Sequence, residues 1–142
     1  MLLPLLLSAA GCGSFGLAPA NDLPLGRVEL SPAAATNFGE LLPEEQAAMA
    51  VFGMTSADEE DPGEVDDVWV EGDTGAFQIV GMPELPDLLR GNQHLHVKVR
   101  FAPQESGSFE GNFVMSTTGG QKVRRAMVGI GCKNRDGNMR CD

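Results

Sequence analysis

The chain has no tyrosine and a single tryptophan, Trp69, among its 142 residues. That scarcity argues against an aromatic ligand-binding face. Histidine is nearly absent too, with only His94 and His96. No G-x-S-x-G, H-E-x-x-H or phosphate-binding glycine loop occurs. Carboxylates are plentiful, but no pair is set in an apolar pocket that would split their pKa values. These absences assemble no active site, and the chain reads as a non-enzyme. Bases are scarce over the first part: through Asp87 there are sixteen acids and one base, Arg27. From Leu88 onward there are four acids and nine bases. A formal net charge of −10 repels phosphate, which excludes nucleic acid as a partner. No apolar run is long enough to span a bilayer as a helix; Leu2 to Leu7 is the nearest.

What is present is the material of a β-protein. There is enough Val, Ile, Leu, Phe and Met for a core, with 18 glycines and 9 prolines for turns. The stretch His94–Gly131 carries the clearest pattern. Leu95, Val97, Val99 and Phe101 alternate with His94, His96, Lys98 and Arg100, the period of a half-buried strand. Pro103 ends that strand, since proline cannot donate to a ladder. Phe109, Gly111, Phe113 and Met115 share one face of a second strand, and Lys122 to Ile130 form a third. Strands are predicted at 26–31, 36–41, 46–54, 66–71, 76–81, 94–101, 108–117 and 121–130. Within 43–50, helix propensity competes with a strand. Asp87-Leu88-Leu89 is expected to form one helical turn.

The order of Val99, Phe101, Pro103, Gly107, Phe109, Gly111, Phe113, Met115, Met127, Gly129 and Gly131 resembles the choice-of-anchor D modules. These belong to the wider ASH, or major-sperm-protein-like, group. Val28 to Pro32, Asn37 to Leu41 and Ala76 to Val80 are similar to the family's earlier strands. Arg125 departs from it, standing where the family prefers an apolar residue. The resemblance implies an all-β, Ig-like antiparallel β-sandwich of seven to eight strands over 26–131. It also asks for a strand, not a helix, at 46–54. Such modules usually bind or space.

The N-terminus reads as a targeting segment. Residues 1–11 form a signal peptide, and Ser8-Ala9-Ala10-Gly11-Cys12 resembles a bacterial lipobox. That likeness implies lipidation of Cys12 and a stable membrane anchor. A plain secretory signal cleaved near Ala10, or an uncleaved apolar tail, fits the same residues. Gly13, in place of Asp, points to the outer membrane of a Gram-negative bacterium. Residues 12–25 then hold the lipidated cysteine and a flexible tether, poor in charge.

Two segments invite a calcium reading. The acidic loop 58–73 contains Asp58, Glu59, Glu60, Asp61, Glu64, Asp66, Asp67, Glu71 and Asp73 with no base among them. Hard oxygen ligands at that density suit Ca²⁺, although the spacing matches no EF-hand, and a solvated loop accounts for it equally. The tail 132–142 resembles a degenerate Asp/Asn/Gly calcium repeat, with Asn134, Asp136, Asn138 and Asp142 as ligands for weak Ca²⁺. With Cys12 lipidated in an exported chain, Cys132 and Cys141 remain as a disulfide pair closing a loop of roughly ten residues, worth ~2–3 kcal/mol. Free thiols or pairing with another chain are the alternatives. His94 and His96 share a strand face that alternation turns to solvent; a zinc site there would need two further ligands.

The acidic and basic halves are expected to meet as cross-strand pairs, or else to form poles that favour head-to-tail contact. Together these features predict a non-catalytic, membrane-anchored cell-envelope module. Its role would be adhesion, scaffolding or protein–protein binding to an unidentified partner, without cofactor. The alternative is a calcium-dependent binding protein using loop 58–73, the 134–142 tail, or both.

Overall fold

A computed structural model describes residues 25–133. Nine strands follow one another: β1 (Val28–Ser31), β2 (Thr36–Leu41), β3 (Ala48–Ser56), β4 (Gly63–Gly72), β5 (Phe77–Val80), β6 (Asp87–Leu89), β7 (His94–Phe101), β8 (Gly107–Thr117) and β9 (Lys122–Gly131). They build two sheets, ordered β1-β3-β7-β5 and β2-β9-β8-β4-β6. The sheets face each other as an immunoglobulin-like sandwich.

Alternation decides which side chains enter. On β7, Val97, Val99 and Phe101 are buried while His94, His96, Lys98 and Arg100 are exposed. Burying each large apolar side chain stabilises the fold by about 1.5–3 kcal/mol. Phenylalanine organises this interior. Phe52 stacks on Phe113 across the two sheets, centroids 4.3 Å apart. Phe77 stacks on Phe101 at 5.0 Å, with Phe38 and Phe109 tilted against the pair. Gly129 makes room for that cluster: a Cβ there would lie 2.5 Å from Cζ of Phe101.

The eight predicted strands are all present, and two features differ from expectation. Asp87–Leu89 is a strand, β6, not a helical turn. It pairs with Gly63–Val65 of β4, and that tertiary pairing overrides the helical preference of its leucines. The sandwich is also not wholly antiparallel, because β2 runs parallel to β9. A bulge between Asn37 and Glu40 interrupts that pair; Gly39 sits there at φ +83°, and its N–H is taken by Oδ1 of Asn37. In the ambiguous 43–50 stretch, a turn through Glu45 precedes β3, whose pairing with β7 fixes the extended form.

Candidate functional site

An open sandwich has four outer strands: β1 and β5 on one sheet, β2 and β6 on the other. Each presents unpaired backbone groups unless something covers them. Their condition differs.

The edge of β1 is covered in part by side chains. Alternation turns the backbone of Val28 and Leu30 away from β3, and two β9-side residues meet it there. The Gln121 amide accepts from Val28 N–H at 3.0 Å and donates to Val28 C=O at 2.9 Å. Nη2 of Arg125 donates to Leu30 C=O at 3.2 Å. Gln121 thus imitates a neighbouring strand. Its own geometry is fixed by the β8–β9 turn, where its N–H donates to Oγ1 of Thr117 and its C=O accepts from Thr117 N–H. A groove of roughly 440 Å³ opens beside these residues, lined also by Arg27, Ser31, Thr55 and His94. Nε of Arg125 is enclosed without a partner.

The edge of β5 is open. Phe77 N–H is taken by Asp73 C=O, and Ala76 C=O by Ala102 N–H. Alternation from that pair directs Gln78 and Val80 toward β7 and Ile79 outward. No backbone partner meets the Ile79 N–H or C=O among the described residues. Beside this edge, Val80 and Met82 are exposed. By contrast β2 carries the bulge and β6 has only three residues.

The outer sheet faces differ in charge. Sheet β1-β3-β7-β5 shows His94, His96, Lys98 and Arg100, with the imidazole rings of the two histidines parallel at 5.9 Å. The histidines are exposed, as alternation requires. On the other sheet, Nε of Arg124 meets Glu71 at 2.9 Å, the one salt bridge among the described residues. Those two strands flank β8, so the pair spans it and does not join neighbours as the cross-strand expectation had it. The Arg124 guanidinium, and then the Trp69 indole N–H, hold the Glu71 carboxyl below its ordinary pKa, while Glu71 raises that of Arg124. Lys122 lies over the Trp69 ring at 5.4 Å.

Among the described residues no three His, Cys, Asp or Glu side chains gather as a metal site. Within the acidic loop, Asp58 accepts from Glu60 N–H and bridges to Asp61, while Ser116 and Thr118 hydrogen-bond Asp66 and Glu64. Cys132 is fully buried at the end of β9, and its N–H donates to Leu41 C=O. Cys12, Asn134, Asp136, Asn138, Cys141 and Asp142 lie outside the described residues, as do the signal segment and nearly all of the tether. The Gln121 clamp and the open Ile79 edge were not foreseen. Arg125 was the available signal: it alternates in phase with buried Met127, so its charge belongs to an inward face.

Solved structures share this architecture. The periplasmic chaperone SfaE superposes with a TM-score of 0.52 at 14% identity, over 74% of this chain and 58% of that one. The secreted serine protease VesC from Vibrio cholerae superposes at 0.54 and 10% identity, over 78% of this chain and 24% of that one. The chain is an immunoglobulin-like β-sandwich. At these identities the likeness shows the fold alone, and the chain spans about three fifths of the chaperone's length and a quarter of the protease's. The ASH/PapD-like domain of human CEP192 superposes at 0.48 and 13% identity, over 95% of this chain and 99% of that one. No protein-family model matches the sequence, and no curated protein is significantly similar to it.

Proposed function

We propose that this sandwich is a non-catalytic protein-binding module of the bacterial cell envelope, which takes an extended partner segment onto the edge of β5. One observation carries the reading: on the regular edge of β5 the N–H and C=O of Ile79 point outward and meet no partner among the described residues, while on β1 Gln121 and Arg125 take the Val28 N–H, the Val28 C=O and the Leu30 C=O. An added strand gains main-chain hydrogen bonds from such an edge, and neighbouring side chains supply selectivity. Val80 and Met82 are the apolar surface placed to do so.

The lipobox-like run ending at Cys12 supports export and lipid anchoring, with Gly13 favouring the outer membrane. The burial of Cys132 supports a Cys132–Cys141 bridge. It would close the chain just after its last strand.

Site-specific photocrosslinking in the native envelope tests the edge. A photoreactive residue at Gln78 should yield a discrete adduct, one at Glu29 on β1 should not, and Ile79→Pro should abolish the first. Adducts at Glu29 alone, or adducts at Gln78 that survive Ile79→Pro, would overturn the assignment. The anchor is checked separately. Palmitate should label the wild type, and Cys12→Ala protein should leave the membrane fraction; retention there would sink the anchor.

A further inference from the structure

The outward row of β7, His94, His96, Lys98 and Arg100, stands between apolar neighbours. In register, Val51 flanks Lys98 on β3 and Val80 flanks it on β5, while Met49 flanks Arg100. Met49, Val51, Val80 and Met82 are 49%, 49%, 40% and 54% exposed. Neither cation forms a salt bridge among the described residues. Scattered apolar residues on a surface need no explanation, but a row of them around arginine and lysine does. Methionine and arginine are both enriched where proteins meet.

The same molecule displays a complementary surface. Asp58, Glu59, Glu60, Asp61, Asp66 and Asp67 are all exposed, and none takes part in a salt bridge among the described residues. They lie in the β3–β4 connection and on β4, a strand of the opposite sheet. The geometry points to head-to-tail association: the basic and apolar face of one copy receives the acidic β3–β4 segment of the next. The occupant is therefore a second copy of this chain. Because the two surfaces are different patches, the contact is heterologous, and each added copy leaves one of each kind unused. Opposite charges set the register and speed the encounter, and salt weakens both. This contact shares Val80 and Met82 with the β5 edge, but it rests on the charges of Lys98 and Arg100 and not on the backbone of Ile79.

Sedimentation velocity on the purified chain tests it, over a concentration series at about 0.02 M and about 0.5 M salt. Wild type should grow through species larger than a dimer at low salt and return to monomer at high salt. Lys98→Glu with Arg100→Glu should weaken association at least tenfold, roughly the loss expected for mutating interfacial charge. Glu59→Lys with Glu60→Lys should do the same. Mixed together, these two variants present opposite charges at both contacts, one native and one charge-swapped, and should regain the association that each has lost alone. A wild type that stays monomeric throughout, with no pairing of the mixed variants, overturns the proposal. Association unchanged by Lys98→Glu with Arg100→Glu also overturns it, and leaves the β5 reading untouched.

Discussion

The two edges of the four-stranded sheet solve the same physical problem in opposite ways. At β1, side chains from the other sheet take the Val28 N–H, the Val28 C=O and the Leu30 C=O, so an added strand would have to displace them. At β5, the backbone of Ile79 meets no partner among the described residues, and apolar side chains stand beside it. The difference teaches that edge protection here is selective. A protein that merely avoids aggregation would cover both edges. The proposed docking of a partner strand at β5 rests on this contrast between a bare regular edge and a covered one.

Removing what holds β5 in place should have the largest effect. Phe77 is fully buried against Phe38 and Phe101, so Phe77→Ala should cost about 3–5 kcal/mol in denaturant unfolding. It should remove partner binding as well. Opening the sealed edge comes next. Gln121→Ala with Arg125→Ala leaves Val28 and Leu30 backbone groups unsatisfied, at about 1–3 kcal/mol for each group that water does not reach. The same variant should gain a new self-association, seen by light scattering, because β1 then becomes a second bare edge. Absence of that gain would mean the clamp is structural only. Ile79→Pro should be mild, about 1 kcal/mol or less, because its N–H faces outward and proline is tolerated on such edges. A large drop in melting temperature would show that Ile79 is paired after all.

The smallest effect belongs to the exposed Arg124–Glu71 pair. Glu71 has a lowered pKa, so its stabilisation is present above the ordinary carboxylate pKa and is lost as pH falls through the lowered value. Arg124→Ala should move the NMR titration of Glu71 up toward its ordinary pKa and reduce that acid dependence. Being a surface pair, it should leave edge pairing and partner binding unchanged.

Periodicity made most of this fold legible. Alternation along β7 assigned its buried and exposed residues correctly, because a sandwich strand has one wet face and one dry face. The short strand β6 was not legible, since three residues of Asp-Leu-Leu carry no period and only the partner β4 makes them extended. Parallel pairing of β2 with β9 was hidden for a related reason: strand order is set by long-range contact, which no local pattern encodes. The candidate site was largely invisible. Whether an edge is bare depends on what the other sheet puts across from it, and Gln121 looks like an ordinary turn residue until Val28 is placed opposite. Arg125 was the partial exception, conspicuous as a charge in an apolar phase.

The clamp on β1 joins residues 93 and 95 positions apart. It therefore ties the beginning of the domain to its end. A growing or translocating chain cannot close its first edge until the turn after β8 has emerged, and long-range closure of this kind is slow to form. During that interval β1, β5 and β8 are all bare and β2 has no strand to pair with, where the finished domain carries a single regular bare edge. The moment of greatest exposure to wrong partners thus falls before the last ten-residue strand arrives. A chain cut short before Gln121 should be sticky however well its remaining strands fold.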